Sequence, residues 1–167
     1  MWTKESLAEL VARKLSGYKF IVVSNREPYI HSYAGKDVQW QVPASGLTVA
    51  LDPVMQACGG VWIASGRGDA DKDVVDEENK VRVPPGSPKY DLRRVWLTQE
   101  EEEGYYYGFA NSALWPLCHI AYTRPVFLET EWDAYRKVNG IFAESVMAEV
   151  KGQKAFVFIQ DYHLALL

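Results

Sequence analysis

Short apolar runs alternate with helical repeats along the chain, and this alternation predicts the fold class. Three runs are almost wholly apolar, at 20–23, 61–64 and 155–159. Such runs are typical of strands that are buried on both faces of a parallel sheet. Amphipathic spacing predicts helices over 3–16, from Leu47 to Cys58 and between Thr130 and Val150. We therefore predict an α/β fold, with a Rossmann-like, doubly wound, mostly parallel sheet and helices on both faces.

Weaker patterns predict the smaller strands. Residues 38–42 alternate between polar and apolar side chains after a turn at 34–37. This pattern predicts a small β-hairpin insertion beside the main sheet. Residues 80–83 fit an edge strand, and residues 91–97 fit a further strand.

The segment after these strands is rich in acids and then in aromatic rings. Thr98 and Glu101 have the spacing of a capping box, which predicts a helix start. The glutamate run 100–103 suits the positive end of that helix, so we interpret it as a solvated helix start and not as a metal site. We expect the helix to give way to the aromatic segment 105–119, some of whose rings must face a groove.

Polar residues follow the first and the last of the buried strands. The run 20–23 leads into Ser-Asn-Arg-Glu-Pro at 24–28, and the run 155–159 leads into Gln-Asp-Tyr-His at 160–163. Ligands of parallel sheets bind beyond the carboxyl ends of the strands, an edge that we call the carboxyl edge. Small residues at 43–46 open a helix whose free N–H groups could hold a phosphate, although Ser and Gly are also ordinary helix caps. The sequence therefore predicts a polar-ligand site at the carboxyl edge.

Composition narrows the class of protein. The 167 residues fit one domain, and the net charge of −4 argues against a nucleic-acid binder because no basic stripe offsets the acids. No run approaches the roughly 18 apolar residues of a membrane span, and charged residues interrupt any signal-peptide core near the N-terminus. We predict a cytoplasmic protein. Cys58 and Cys118 stand in apolar contexts and are predicted to be buried thiols in a reducing compartment.

The residues after the second strand resemble the start of a calcium-binding loop but lack two of the residues that such a loop requires. Asp69, Asp71 and Asp73 have the spacing that opens such a loop. Val74 stands where the loop needs glycine, and Lys80 stands where it needs a bidentate glutamate. We therefore expect no metal there, and we attribute the Arg-Gly-Asp tripeptide at 67–69 to chance.

An ordered set of short motifs along residues 20–167 carries a family resemblance. The motifs are Val22-Val23-Ser24-Asn25-Arg26, Ser45-Gly46-Leu47, Gly59-Gly60-Val61-Trp62, Tyr107-Gly108-Phe109-Ala110-Asn111, Leu114-Trp115-Pro116-Leu117, His119, Trp132-Asp133-Ala134-Tyr135 with Val138-Asn139 and Phe142-Ala143, and Gln160-Asp161-Tyr162-His163-Leu164. Each motif is weak alone, but the ordered set is specific. Together they resemble the trehalose-6-phosphate synthase family of retaining glycosyltransferases.

The resemblance implies a fold and a reaction. Members of that family have two Rossmann-like domains that face each other across a cleft, the GT-B arrangement. They transfer glucose from UDP-glucose, or from another nucleotide-glucose, to glucose 6-phosphate without a metal or a cofactor, since the nucleotide-glucose is a co-substrate. Residues 1–167 would then be a truncated N-terminal, acceptor-side domain, inactive without the C-terminal donor-binding domain. Whether the full-length form is a homo-oligomer stays open.

The resemblance also assigns roles to individual residues. Arg26 would hold the acceptor's phosphate, a task that suits its bidentate guanidinium fork. Tyr106 and Trp115 would contribute to the pocket for the acceptor's phosphate and sugar. Gly46 would bring its backbone N–H to the donor's pyrophosphate, and Asp161 would accept hydrogen bonds from acceptor hydroxyls.

One role and two departures from the family pattern leave questions open. His163 belongs to a matching motif, but packing and ligand binding are equally compatible with it. Ser45 replaces the first of two glycines, while Gly46 is retained. Ser65 stands where many members have a second tryptophan that lines the acceptor side, so the identity of the acceptor is open.

Three alternatives remain beside a trehalose-6-phosphate-forming enzyme. The first is a relative that glucosylates another phosphorylated acceptor, such as glycerol 3-phosphate. The second is a regulatory or binding domain that has lost the chemistry, and the third is a doubly wound domain with a solvated arginine. Retention of Arg26, Tyr106, Trp115 and Asp161 favours the enzyme. Whether the donor nucleotide is UDP, GDP or ADP stays open.

Overall fold

The computed structural model describes residues 3–167 of the chain. Its helices are α1 (Lys4–Lys14), α2 (Gly46–Cys58), α3 (Gln99–Glu102), a π-helix (Glu103–Leu114), α4 (Trp115–Cys118), α5 (Glu129–Val150) and a 3₁₀ turn (Tyr162–Leu164). Its strands are β1 (Lys19–Arg26), β2 (Ile30–Ala34), β3 (Asp37–Gln41), β4 (Val61–Ser65), β5 (Lys80–Val83), β6 (Tyr90–Val95) and β7 (Ala155–Ile159). No helix within residues 3–167 is long and apolar enough to cross a lipid bilayer.

The main sheet has five strands in the order β5-β6-β4-β1-β7. β6, β4, β1 and β7 run parallel, and β5 is antiparallel to β6 at one edge. Ile21 of β1 lies opposite Val61 on one side and Val157 on the other, so these strands end at the same carboxyl edge. The predicted α/β class is confirmed, and β2 and β3 form the predicted separate hairpin.

Alternate residues of β1 enter two different cores, one on each face of the sheet. Ile21 and Val23 pack with Tyr135 and Phe142 of α5 in one core. Val22 packs with Met55 of α2 in the other. Because complete burial of a side chain of this kind contributes about 1.5–3 kcal/mol, both helical layers are held firmly on the sheet. Helices therefore cover both faces, as predicted.

β1 extends three residues beyond the end that the apolar pattern predicts, Val23. Ser24 is buried because its hydroxyl donates to the Arg26 carbonyl (2.7 Å) and accepts from Nε1 of Trp62 (2.8 Å). The register with β4 then shifts between Ser24 and Arg26, and Arg26 turns out of the core. Such a bulge re-aims the side chain at the end of a strand. Residues placed in a turn by sequence reasoning thus belong to the strand, and the bulge presents Arg26 at the carboxyl edge.

The helix that starts after Thr98 does not end before the aromatic segment 105–119. The predicted capping box with Glu101 is present, and the chain continues through the π-helix into α4. Tyr105, Phe109 and Ala113 are buried at four-residue intervals and face α5. The expectation that the helix gives way at this segment is therefore wrong, because a π-helix, which is wider than an α-helix, continues through it.

α5 carries the predicted apolar stripe but starts earlier than predicted. The buried residues of the stripe include Tyr135, Val138, Phe142 and Val146. The helix begins at Glu129, and extended Leu128 is its N-cap without a side-chain hydrogen bond. Thr130 therefore lies inside the first turn and does not cap the helix.

The two cysteines differ in exposure. Cys58 is half-buried at the end of α2, where burial raises the pKa of its thiol. Cys118 is exposed in the last turn of α4. The prediction of two buried thiols is therefore wrong for Cys118, because its apolar neighbours Leu117 and Ile120 also lie at the surface.

The three aspartates with calcium-loop spacing tie the β2–β3 hairpin to the loop after β4. The backbone N–H of His31 donates to Oδ1 of Asp71 (2.8 Å), and that of Tyr33 donates to Oδ1 of Asp69 (2.9 Å). The hydroxyl of Tyr33 donates to the carboxylate of Asp73. Their spacing therefore serves the attachment of the hairpin.

Arg94 is the centre of a buried ionic network that also involves Glu27 and Asp71. Its Nε lies 2.8 Å from Oε2 of Glu27, and its terminal nitrogen lies 2.7 Å from Oδ1 of Asp71. Burial raises the pKa of Glu27 to about 8, and its hydrogen bond to Asp71 acts in the same direction. Burial also acts to raise the pKa of Asp71, but hydrogen bonds from His31 and Glu27 outweigh it and lower the value to about 2. The two carboxyls therefore share one proton near neutral pH.

This shared proton predicts how stability depends on pH. The pKa of Glu27 in the folded chain, about 8, exceeds its ordinary value of 4.5. The folded state consequently holds a proton that the unfolded state releases, so the contribution of Glu27 is complete below pH 4.5 and is lost as the pH rises to about 8. Glu27→Gln should remove this loss. Urea unfolding of both proteins across this range checks it, and parallel curves would contradict the shared proton.

Candidate functional site

A cavity of about 250 Å³ opens at the carboxyl edge, where β1 and β7 end and α2 begins. Its lining residues are Asn25, Arg26, Ser45, Leu47, Gln160, Asp161 and His163. Arg26 and Asp161 are 135 positions apart in the sequence, yet they meet here because β1 and β7 are parallel neighbours. The predicted polar edge is therefore a concave site with a cation and a carboxylate.

Arg26 is available for an anionic ligand. Within residues 3–167 it forms no ion pair, because neighbouring Glu27 points inward to Arg94. Its terminal nitrogen donates to the hydroxyl of Tyr106 at 3.2 Å, and this hydrogen bond raises the pKa of the guanidinium further. The structure thus brings together two of the residues to which the resemblance assigns the acceptor's phosphate.

His163 packs among aromatic rings and also lines the cavity. Its imidazole stacks on Tyr162 at 4.2 Å and on Tyr106 at 5.2 Å between ring centroids. Burial lowers its pKa, and the charges of Arg26 and Arg67 lower it further against the opposing effect of Asp161. The ring is therefore neutral near pH 7. Its Nε2 is buried without a hydrogen-bond partner in residues 3–167, so the hydrogen-bonding capacity of this atom is unused there.

Asp161 is both a cap and a cavity residue. Its Oδ1 accepts from the N–H of Tyr162 at 2.8 Å and so caps the 3₁₀ turn. Its Oδ2 makes a longer contact, 3.6 Å, with Nδ1 of His163, and half of the side chain is exposed. The backbone φ of +72° is unusual for a residue other than glycine, and such values are found at functional sites. The carboxylate therefore has one oxygen left for a ligand.

Trp115 lies apart from the cavity lining. Its ring is 41% exposed and stacks on His119 at 4.9 Å. His119 meets the edge of Tyr162 at 5.9 Å, and Tyr162 stacks on His163. A row of aromatic rings therefore leads from Trp115 to the cavity and connects this residue to the site.

Gly46 is the first residue of α2, and its neighbours Ser45 and Leu47 line the cavity. The side chain of Ser45 makes no capping hydrogen bond. A Cβ at Gly46 would meet nothing within 4 Å, so open space lies beside this backbone. A helix start with a positive dipole end and open space is suited to an anion.

Asn25 is a cavity residue that sequence reasoning did not select. It is 3% exposed, and neither polar atom of its amide has a hydrogen-bond partner in residues 3–167. A buried amide without partners is costly, and it is typically explained by a bound molecule. The sequence places Asn25 in a predicted polar turn and in one of the family motifs, but no pattern shows that β1 continues through it.

Comparison with known proteins places the chain in a family. The family model for Glycosyltransferase family 20 matches residues 18–167. The chain belongs to glycosyltransferase family 20. This confirms the resemblance that the ordered motifs carry.

Curated relatives of this family 20 chain include trehalose-6-phosphate synthases. That of Mycolicibacterium paratuberculosis is 34% identical over 158 residues, which cover 92% of this chain and 31% of the relative. That of Mycobacterium ulcerans is 34% identical over 150 residues, which cover 89% of this chain and 29% of the relative. The chain therefore spans about 30% of the length of the curated relatives it matches.

Solved structures of family 20 enzymes share the fold. The match to an Escherichia coli structure bound with UDP-2-fluoro glucose has a TM-score of 0.60 and 25% sequence identity. It covers 87% of this chain and 28% of the Escherichia coli chain. The match to a UDP-forming α,α-trehalose-phosphate synthase from Burkholderia vietnamiensis has a TM-score of 0.59 and 27% sequence identity. It covers 89% of this chain and 30% of the Burkholderia chain. The fold is therefore that of one part of a GT-B glycosyltransferase.

Proposed function

We propose that residues 1–167 form the N-terminal, acceptor-side domain of a retaining glucosyltransferase. The whole enzyme would move glucose from a nucleotide-glucose, with UDP-glucose favoured, to glucose 6-phosphate and so form trehalose 6-phosphate. The observation that carries this proposal is Arg26, which lines a polar cavity, donates a hydrogen bond to Tyr106 and forms no ion pair within residues 3–167. The curated relatives support it, since they are trehalose-6-phosphate synthases.

The acceptor's phosphate would bind to Arg26 and Tyr106. A guanidinium offers two parallel N–H donors to phosphate oxygens, and such charged hydrogen bonds are about twice as strong as neutral ones. The Tyr106 hydroxyl already accepts from Arg26, so its own proton is free to be donated to the same phosphate. The unpartnered amide of Asn25 supplies a further donor and acceptor at the cavity wall.

The sugar ring would be oriented by Asp161 and His163. Within residues 3–167, Oδ2 of Asp161 and Nε2 of neutral His163 make no short hydrogen bond, and both residues line the cavity. Asp161 would orient the acceptor hydroxyls and not act as the principal base. In this proposal the departing phosphate of the donor takes the proton of the attacking hydroxyl.

The donor would approach the start of α2. The open backbone at Gly46 and the positive end of the helix dipole suit a pyrophosphate. The nucleotide pocket would belong to a C-terminal domain, and the reaction would need no metal or cofactor. The Escherichia coli relative bound with UDP-2-fluoro glucose supports UDP as the donor nucleotide.

A second phosphorylated acceptor, such as glycerol 3-phosphate, is favoured by one observation. Ser65 is 3% exposed and pairs in register with Arg26 at the end of β4. It therefore contributes no aromatic ring to the acceptor side, where the family pattern has a tryptophan. A smaller or different phosphorylated acceptor would not need contact with a tryptophan ring at this position.

Ligand titration of the 167-residue chain tests the proposal. We expect glucose 6-phosphate to bind at least about tenfold more tightly than glucose, because charged hydrogen bonds contribute about 1.5–3 kcal/mol. We expect no UDP release from UDP-glucose and glucose 6-phosphate, since the donor side would be absent. Isothermal titration calorimetry and a coupled UDP assay measure the two quantities. Tighter binding of glycerol 3-phosphate would favour the second acceptor, and turnover on the order of 1 per second would contradict the domain assignment.

A further inference from the structure

A second guanidinium, that of Arg67, lies beside the proposed acceptor site on the loop after β4. Its Cζ is 4.9 Å from the centroid of the Tyr106 ring, whose hydroxyl accepts a hydrogen bond from Arg26. The charges of Arg26 and Arg67 both act on the imidazole of His163 and lower its pKa. Two cations thus border the same pair of rings.

The backbone of Arg67 is held by the buried ionic network. Its N–H donates to Oε1 of Glu27 at 3.0 Å and to Oδ2 of Asp71 at 2.9 Å. The next residue, Gly68, is packed so closely that a Cβ there would collide with the carbonyl oxygen of His31. Because the backbone is fixed, the side chain is the part of Arg67 that can change its partners.

The present partner of that side chain is Glu102, at the end of α3. A terminal nitrogen of Arg67 lies 2.7 Å from Oε1 of Glu102, and about a quarter to a third of each side chain is exposed. Ion pairs with this exposure are weak, because water and salt screen them. A phosphate with two negative charges near Tyr106 is therefore able to compete with this carboxylate for Arg67.

We propose that Arg67 is a second cationic residue of the acceptor site and selects a phosphoryl group with two negative charges. Glu102 would be an internal competitor that the phosphate displaces from Arg67. The inference rests on the proposed function, since it needs a phosphorylated acceptor near Arg26. A dianion is attracted by both guanidinium groups, whereas a monoanion is satisfied by Arg26 alone and a neutral sugar gains from neither.

Affinity measurements on four forms of the 167-residue chain test this role. They are the parent, Arg67→Gln, Glu102→Gln and the double variant, titrated with glucose 6-phosphate and with the monoanion glucose 6-sulfate. We expect Arg67→Gln to weaken phosphate binding about three- to tenfold and sulfate binding less. We expect Glu102→Gln to tighten phosphate binding about two- to fivefold, because it removes the competitor. In the double variant the benefit of Glu102→Gln should disappear.

Arg136 provides a matched control. Like Arg67 it pairs with an acid, Asp133 at 2.5 Å, and lies over an aromatic ring, Trp132 at 5.8 Å, but it sits on the exposed side of α5. Arg136→Gln should leave both affinities unchanged. Thermal unfolding of each variant shows whether a loss of binding reflects loss of structure.

The gain expected for Glu102→Gln separates ligand binding from a supporting role. If Arg67 and Glu102 only brace the loop against α3, removing Glu102 leaves the affinity unchanged or lowers it, and this result overturns the proposal. Arg26→Ala is titrated beside these forms. An effect of Arg26→Ala without any effect of Arg67→Gln overturns the role of Arg67 and leaves the proposed function standing. Unchanged phosphate binding in both arginine variants overturns the proposed function as well.

Discussion

Replacing Arg26 with alanine is expected to weaken binding of glucose 6-phosphate by roughly tenfold or more. The guanidinium has no ion pair within residues 3–167 and points to the cavity at the end of β1, so the phosphate would lose its principal charged partner. Charged hydrogen bonds contribute about 1.5–3 kcal/mol, and 1.4 kcal/mol is a factor of ten. Isothermal titration calorimetry on the 167-residue chain measures the change. In the proposed full-length enzyme, kcat/KM for the acceptor should fall by a similar factor.

Two further variants show whether the effect belongs to the site. Arg26→Lys keeps the charge but loses the bidentate fork, so its affinity should lie between those of the parent and Arg26→Ala. Arg13→Ala removes an exposed guanidinium from α1, outside the cavity, and should change nothing. Equal affinity for glucose 6-phosphate in the parent and Arg26→Ala would remove Arg26 from the acceptor site.

The meeting of Arg26 and Asp161 was predictable from the sequence. Each residue follows an apolar run, and strands buried on both faces belong to parallel sheets, whose carboxyl ends share one edge. The exact end of β1 was not predictable, because the polarity of Ser24 and Asn25 resembles a turn. Only the hydrogen bonds of Ser24 to Trp62 and to the backbone show why the strand continues.

Residue patterns alone do not show which of the three consecutive tyrosines, 105–107, faces the cavity. Tyr105 is fully buried against α5, Tyr106 contacts Arg26, and Tyr107 is 58% exposed. Their directions depend on the pitch of the π-helix, which an α-helical period does not describe. The family resemblance pointed to Tyr106, and the described geometry places that ring beside the cavity.

The ionic network around Arg94 was not predictable. Glu27, Asp71 and Arg94 are far apart in sequence, and each looks like an ordinary surface charge. Glu27 stands next to Arg26 in the sequence, but the structure pairs it with Arg94 in the interior. Because burial is a property of tertiary packing, no local pattern distinguishes these three residues from solvated ones.

Replacing Arg94 with methionine is expected to destabilise the chain by about 3–5 kcal/mol, the cost of removing one partner from a buried ion pair. The side chain of Arg94 is fully buried, and its loss leaves the carboxylate of Asp71 without its cation at 2.7 Å. It also removes the hydrogen bond to the carbonyl of Tyr29, at 3.0 Å. The free energy of unfolding, from urea titration at pH 7, measures the effect.

Arg82→Met is the matched control, because Arg82 pairs with Asp91 at 3.1 Å but is more than half exposed. Its cost should not exceed about 1 kcal/mol. Adding Glu27→Gln and Asp71→Asn to Arg94→Met removes the unpaired charge and should recover part of the stability. A loss of less than about 1 kcal/mol in Arg94→Met would show that the network contributes little.

The same network fixes the backbone of Arg67 and the residue after Arg26. Arg94→Met should therefore also weaken binding of glucose 6-phosphate, under conditions in which the variant remains folded.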